Sequence, residues 1–144
     1  MNELVQAAKI AFASQYTFYL KAHFFHWNVE GIHFQELHAL FETVYAEVYG
    51  TVDEFAEKIR SLGAYAPGSN SRFSMLTRID DETEIMPGEA MVAELLGDAD
   101  KMVKILKIVY DQAEAEGEHG FSNFLAERMS SFRTHAWMLR STLK

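Results

Sequence analysis

Cysteine is absent from the 144-residue chain, which excludes both a disulfide scaffold and a metal site built on thiolates. No apolar run approaches the roughly 18 residues that a membrane-spanning helix needs. The first residues also lack the basic segment and apolar core that make up a signal peptide. We therefore expect a protein without a membrane span that resides in a reducing cytoplasm.

Proline and glycine are scarce, with two and eight residues, so long stretches of the chain can remain helical. Apolar residues make up 49% of the chain and aromatic residues 13%, which excludes a disordered protein and is enough for the core of one domain over residues 1–144. Within the uninterrupted stretches, apolar residues recur three and four positions apart. This spacing predicts four helices, over 3–28, 33–62, 88–116 and 121–143.

Both prolines fall in the connection between the second and third predicted helices, residues 63–88. A short helix over 73–79 is expected inside this connection, and Gly63 is expected to end the helix before it. A long crossover in the middle of four helices is typical of ferritin-like proteins and not of simple up-and-down bundles. The predicted fold is therefore all-α, a ferritin-like four-helix bundle with a long central crossover that carries a short extra helix.

Gly50 lies inside the second predicted helix, where a glycine costs about 1 kcal/mol relative to alanine. We expect a close contact with a neighbouring helix to be the reason for a glycine at this position. The two tryptophans, Trp27 and Trp137, are expected mainly to pack against other residues.

Acidic residues outnumber basic ones by 21 to 13, and the formal net charge is −8. Binding to nucleic acid depends on cationic contacts with phosphate groups, so this balance opposes it. The sequence also shows no lysine- or arginine-rich tail before the first predicted helix or after the last. We therefore expect no strong DNA binding.

Four side chains have the chemistry of ligands for metal ions: His26, His38, Asp53 and Glu57. Imidazoles combined with carboxylates suit iron, manganese or zinc. Glu42 follows His38 by one helical turn, so it either orients a ligand or a bound water or is simply solvated. The Asp53 and Glu57 carboxylates repel each other on one helix face unless a cation lies between them.

The spacing of these residues limits how they can meet. Asp53 and Glu57 are four positions apart and project from one face of a helix. His38 and Asp53 are much farther apart, by about 22 Å if one continuous helix carries both. A single ion cannot bridge that distance. Either the two pairs are unrelated half-sites, or histidines of one subunit face carboxylates of another across a two-fold axis.

These residues lie in segments that resemble the signature of the Dps miniferritins, the DNA-protection-during-starvation proteins. The matching segments are 26–31 (HWNVEG), 37–38 (LH), 53–63 (DEFAEKIRSLG), 66–68 (APG) and 136–140 (AWMLR). They extend over essentially the whole chain. The resemblance implies a ferroxidase centre between two subunits, with His26 and His38 from one chain and Asp53 and Glu57 from its partner.

The resemblance also implies the reaction and the assembly. Iron(II) would be oxidised by hydrogen peroxide, and the ferric product would be stored as mineral in a hollow shell of twelve subunits built from two-fold dimers. Such a shell would protect the cell against oxidative damage. Zinc or manganese could take the place of iron, and Trp27 could serve as a sacrificial electron donor beside it. The alternative is a DNA-coating nucleoid protein in which metal binding is incidental.

The same resemblance places acid-lined pores, through which iron enters the shell, at residues 114–127. Four acids in this segment fit that expectation: Glu114, Glu116, Glu118 and Glu127. His119 and Asn123 depart from it, because acids are common at these two positions in relatives.

Overall fold

The computed structural model describes all residues, 1–144, and its regular secondary structure is entirely helical. The helices are α1 (Asn2–Asn28), α2 (Phe34–Tyr49), α3 (Val52–Ser61), α4 (Asn70–Leu76), α5 (Gly88–Ala115) and α6 (His119–Thr142). None of them combines the length and the apolarity that crossing a bilayer requires. The predicted all-α fold is confirmed, and the first, third and fourth predicted helices begin and end within two residues of α1, α5 and α6.

α1 runs antiparallel to α2 and α3 along its whole length. Near the beginning of α1, the ring of Phe12 contacts that of Phe55 on α3, with centroids 5.5 Å apart. Near its end, His26 stacks on His38 at the beginning of α2. α2 and α3 therefore follow one another beside α1 as the two halves of one leg of the bundle.

α5 and α6 complete the bundle as a second antiparallel pair. The Met1 amino group lies 2.8 Å from Glu116 and Lys21 Nζ lies 2.8 Å from Asp98, so α5 runs antiparallel to α1. Gly117 turns the chain into α6 with a φ of +74°, a conformation that glycine adopts without steric cost. Large apolar side chains from the long helices fill the space between the legs: Phe18, Phe25, Phe41, Phe55, Met91, Leu95, Met102, Leu106 and Phe132.

The prediction of one helix over 33–62 is wrong, because the helix is interrupted at Gly50 and Thr51. The Val48 carbonyl accepts hydrogen bonds from the Thr51 backbone N–H, 3.2 Å away, and from the Thr51 hydroxyl, 2.9 Å away. Nε2 of Gln15 on α1 adds a third donor to the same carbonyl at 3.4 Å. α2 therefore ends here, and α3 begins again one residue after Thr51.

The expected close helix contact at Gly50 is also wrong. A Cβ built on Gly50 would meet only two atoms within 4 Å, the carbonyl oxygens of Ala46 and Glu47 in the turn before it, at 3.2 and 3.5 Å. The backbone at Gly50 has ordinary right-handed helical angles, with φ −62° and ψ −17°. The interruption therefore arises from the Thr51 and Gln15 hydrogen bonds and not from crowding at the glycine.

A long crossover connects α3 to α5, as predicted from the position of the prolines. α3 ends at Ser61, and Gly63, two residues later, has a φ of +89° that confirms the predicted stop. The crossover then returns along the bundle to Gly88, where the buried backbone lies against the side chains of Leu37 and Val29. α5 can begin at this crowded position because glycine presents no side chain to Leu37.

The short helix of the crossover, α4, lies three residues earlier than the predicted 73–79. It begins at Asn70 because the Ser69 hydroxyl accepts a hydrogen bond from the Arg72 backbone N–H at 3.3 Å. The ring of Phe73 stacks on Tyr16 of α1, with centroids 4.7 Å apart. α4 therefore fixes the crossover against the middle of the bundle.

Candidate metal centre

His26 and His38 meet where the chain turns from α1 into α2. His26 lies in the last turn of α1 and is 8% exposed, and His38 lies in the second turn of α2. Between them, Gly31 has a φ of +115°, so the turn that reverses the chain depends on glycine. The two imidazole rings stack with centroids 3.7 Å apart and planes inclined by 16°.

Each of these histidines is held by a hydrogen bond to the backbone of the other. Nδ1 of His26 donates to the His38 carbonyl, and Nδ1 of His38 donates to the His26 carbonyl, both at 2.7 Å. A carbonyl can only accept, so both Nδ1 atoms carry hydrogen. In the neutral rings the lone pairs are therefore on the Nε2 atoms, the arrangement found in histidines that bind metal ions.

Glu42 brings a carboxylate to the same place. Its Oε1 lies 3.9 Å from Nε2 of His26, and its side chain is 59% exposed. One possible ligand atom from each of His26, His38 and Glu42 lies within 4.8 Å of the other two. The structure therefore brings together three of the five predicted site residues in one cluster, open to solvent on the side of Glu42.

Asp53 and Glu57 do not belong to this cluster. They lie one turn apart on α3, and both are exposed. α3 packs beside the first half of α1, whereas the histidines lie at the end of α1. The chain therefore presents two separate groups of possible ligands, on the two sides of the interruption at Gly50.

Tyr19, His23, Trp27 and Tyr45 form an aromatic group beside the cluster. The hydroxyl of Tyr19 lies within hydrogen-bond distance of Nδ1 of His23, at 2.9 Å, and the ring of His23 stacks on Tyr45 with centroids 3.8 Å apart. Tyr45 also meets the edge of His26, at 5.1 Å between centroids. Burial lowers the pKa of His23, and the neighbouring His26 lowers it further.

Burial also raises the pKa of Tyr19, so both shifts favour the neutral forms of the Tyr19–His23 pair. None of Tyr19, His23 and Tyr45 is among the site residues predicted from the sequence. The i, i+4 spacing of Tyr19 and His23 on one helix could have suggested their contact. Tyr45 reaches this group because α2 packs against α1, so its position could not be predicted from the residues next to it in the sequence.

Neither tryptophan is buried within the subunit, although both are expected mainly to pack. The side chain of Trp27 is 58% exposed and that of Trp137 is 61% exposed. Trp27 contacts the ring of His23, with centroids 4.1 Å apart. Both indoles are therefore largely at the surface of the subunit.

The segment predicted to line a pore lies at the opposite end of the bundle from the histidines. Nδ1 of His119 lies 3.1 Å from Glu114, and the Ser122 hydroxyl donates to the same carboxylate at 2.6 Å. Glu116 is paired with the Met1 amino group. Two of the four acids in this segment are therefore paired within the subunit.

Comparison with known proteins agrees with this architecture. The family model for the ferritin-like domain matches residues 6–144. The DNA protection during starvation protein of Brevibacillus brevis is 30% identical over 126 residues, which cover 88% of this chain and 85% of the relative.

Two solved structures have the same fold over nearly the whole chain. Dps from Staphylococcus aureus superposes with a TM-score of 0.95 at 28% identity, covering all of this chain and 97% of that one. The Dps protein from Vibrio cholerae O1, described as a member of a broad superfamily of ferritin-like diiron-carboxylate proteins, superposes at 0.94 with 27% identity, over 99% of this chain and 90% of that one. The matched domain, the relative and the shared architecture together show that the chain belongs to the Dps family of ferritin-like proteins.

Proposed function

We propose that the protein is an iron-storage ferroxidase whose Fe(II) substrate binds at the His26–His38 cluster. The observation that carries this proposal is the pair of reciprocal Nδ1–carbonyl bonds, which hold the Nε2 atoms of both histidines ready as ligands. Imidazole and carboxylate together form a ligand set that suits iron. The description of the Vibrio cholerae relative as a diiron-carboxylate protein supports the choice of iron.

We propose that Asp53 and Glu57 of the partner subunit complete the site. A cluster with two imidazoles and one exposed carboxylate leaves positions around a metal ion unfilled. At a rise of about 1.5 Å per residue, the chain's own Asp53 lies about 22 Å from His38 along the leg and Glu57 about 28 Å, so they cannot fill them. A two-fold pair would bring each cluster to the carboxylates of the other subunit and would form two equal sites.

The exposed aromatic residues around the cluster support an interface at this place. Trp27, Phe34 and Tyr49 are 58%, 40% and 56% exposed, and all three lie on α1 or α2. Exposed aromatic side chains are enriched at contacts between proteins. Six such pairs would make the hollow shell of twelve subunits in which we propose that ferric mineral is stored.

Hydrogen peroxide is the oxidant that we propose. Its reduction to two water molecules takes two electrons and two protons, and two Fe(II) ions supply the two electrons when they become Fe(III). Binding the ions in pairs therefore avoids the one-electron reduction that releases a hydroxyl radical. Protons compete with iron for the imidazole nitrogens, so binding weakens as the pH falls.

Mixed assemblies test both the ligands and their sharing between subunits. His38→Ala and Asp53→Ala assemblies are each expected to oxidise Fe(II) with peroxide at least about tenfold more slowly than the parent. When the two variants are unfolded and refolded together, mixed pairs contain one intact site, and part of the activity returns. The measurement is the near-ultraviolet absorbance of ferric product under anaerobic conditions.

The outcomes separate the parts of this proposal. Activity that does not return on mixing would mean that the site is not shared, and undiminished activity in His38→Ala would mean that the cluster is not the site. A parent protein that binds zinc or manganese but oxidises no iron would contradict the ferroxidase function. His33→Ala is the matched control, because this exposed histidine pairs only with Glu36.

DNA coating is the competing function, and the name of the Brevibacillus brevis relative refers to DNA. The net charge of −8 opposes it. A gel-shift assay with the assembled protein in low salt at neutral pH is expected to show no retardation. Strong retardation would favour the nucleoid function. It would mean that the charge on the surface of the assembly, and not the net charge of the subunit, determines DNA binding.

A further inference from the structure

A second polar cluster lies inside the bundle and is centred on Arg128 of α6. Its guanidinium group is almost completely buried, at 2% exposure for the residue. Nη1 and Nη2 donate to the two carboxylate oxygens of Glu47 on α2, at 2.6 and 3.2 Å. Nε donates to Oε1 of Gln15 on α1 at 3.3 Å. One positive charge is therefore surrounded by oxygen atoms from two other helices.

His135 adds a nitrogen to the same cluster. Its Nε2 lies 2.7 Å from Oε1 of Glu47, and the residue is 3% exposed. A carboxylate can only accept, so Nε2 donates its hydrogen in this arrangement. Nδ1 of His135 is buried without any hydrogen-bond partner. The imidazole is therefore not fully satisfied by the groups that now surround it.

Gln15 is held so that its carbonyl oxygen faces the guanidinium. Its Nε2 donates to the Thr51 hydroxyl at 2.9 Å and to the Val48 carbonyl at 3.4 Å, at the interruption between α2 and α3. These two bonds fix the orientation of the amide and direct Oε1 to Arg128. An amide oxygen and a carboxylate thus face the guanidinium. The imidazole of His135 lies beside the same carboxylate, within hydrogen-bond distance of its Oε1.

We propose that Gln15, Glu47 and His135 form a latent metal site inside the bundle and that Arg128 keeps it closed by acting as a tethered cation. Oxygen and imidazole donors of this kind bind divalent transition metals. Ferritin-like bundles can carry metal ligands that project inward from several helices. The guanidinium charge takes the place of the ion, and iron is thereby confined to the His26–His38 cluster. That last consequence rests on the proposed function, whereas the latent site does not.

Removal of the guanidinium tests the proposal directly. Arg128→Ala is expected to bind one Co²⁺ ion per chain more than the parent, measured by equilibrium dialysis and by the visible absorption of the bound ion. The added ion should disappear when Glu47→Gln is combined with Arg128→Ala. Arg128→Lys keeps a cation in the cluster and is expected to gain no ion.

The same measurement in a His38→Ala background separates this proposal from the proposed function. The additional ion of Arg128→Ala should persist there, whatever happens at the His26–His38 cluster. Equal stoichiometry in Arg128→Ala and the parent would overturn the proposal, and so would an added ion that survives Glu47→Gln.

If Arg128→Ala folds poorly, recovery of its fold on metal binding provides a second test. Helix content by circular dichroism should then recover on addition of Co²⁺, because the ion replaces the lost charge, and this recovery should require Glu47. A variant that stays unfolded in saturating Co²⁺ would overturn the proposal, since an ion that fits the cluster would restore it.

Discussion

His26 and His135 are both buried histidines on the inward faces of long helices, with exposures of 8% and 3%, but their nitrogens have different partners. His26 donates Nδ1 to a carbonyl and directs Nε2 to the solvent-exposed Glu42. His135 donates Nε2 to Glu47, which is already bonded twice to Arg128. In the first cluster the unused Nε2 lone pair faces the solvent-exposed side of the cluster. In the second cluster the carboxylate charge of Glu47 is already neutralised by Arg128.

This comparison shows that burial alone does not mark a histidine as a ligand. The useful property is a lone pair that the fold orients but does not use. At the His26–His38 cluster the backbone carbonyls provide that orientation, and the ion pair there joins His26 to Glu42 without a lysine or arginine. In the interior, Arg128 supplies the cation, so we expect loss of its partner there to reduce stability and mutations at the histidine cluster to weaken metal binding.

The largest effect is expected from Glu47→Ala. Arg128, whose side chain is 3% exposed, would lose its counter-charge, and loss of one partner of a buried pair costs about 3 kcal/mol. Urea denaturation should show this loss in the free energy of unfolding. The double variant Glu47→Leu/Arg128→Met, which removes both charges, should recover most of it. A single-variant loss below about 1 kcal/mol would place Arg128 among the weakly paired surface charges.

A smaller effect is expected from Glu42→Gln, which removes a carboxylate from the other cluster. The neutral amide should weaken Co²⁺ or Fe²⁺ binding by about tenfold and leave the unfolding midpoint unchanged, because the side chain is mostly exposed. Glu36→Gln is the matched control on the same helix, since this acid contacts only His33. Equal metal affinity in the two variants would mean that Glu42 is simply solvated. Isothermal titration calorimetry provides the comparison.

Acid should also separate the two clusters. Burial alone would raise the pKa of Glu47, but hydrogen bonds from His135 and Arg128 outweigh it and lower the pKa to about 2 from an ordinary value of 4.5. A carboxyl with a lowered pKa stabilises the fold fully above pH 4.5, and this contribution is lost as the pH falls to 2. Because about a third of the side chain is exposed, we expect a contribution of about 1 kcal/mol.

The control for this acid effect is Glu47→Gln, whose unfolding free energy should fall less between pH 4.5 and pH 2. The comparison is needed because burial raises the pKa of Asp98, which acts in the opposite direction. Identical acid profiles in the parent and Glu47→Gln would show that the lowered pKa makes no contribution.

Much of the fold could be predicted because glycine and proline mark the ends of the long helices. Gly63, Gly88 and Gly117 lie where the predicted helices stop or start. The separation of His38 from Asp53 also followed from helix geometry alone. These features are local, so the sequence beside each of them contains the signal.

Features that depend on distant residues could not be predicted. The reciprocal histidine bonds require the geometry of the turn at Gly31, and the Arg128–Glu47 pair joins residues 81 positions apart. The interruption between α2 and α3 depends on Gln15, which lies 36 positions before Thr51. The helical spacing of apolar residues continues through the junction of α2 and α3, so the sequence predicts a single helix there.

The smallest effect is expected at the interruption itself. Gly50 has helical angles, so Gly50→Ala should gain from the higher helix propensity of alanine, offset in part by the Cβ contact with the Ala46 carbonyl at 3.2 Å. We expect a net gain of about 0.5 kcal/mol in thermal unfolding, with the interruption retained because Thr51 and Gln15 maintain it. A loss above about 1 kcal/mol would show instead that the α2–α3 junction needs the extra freedom of glycine. In that case the angle between the histidine and carboxylate halves of the leg would depend on Gly50.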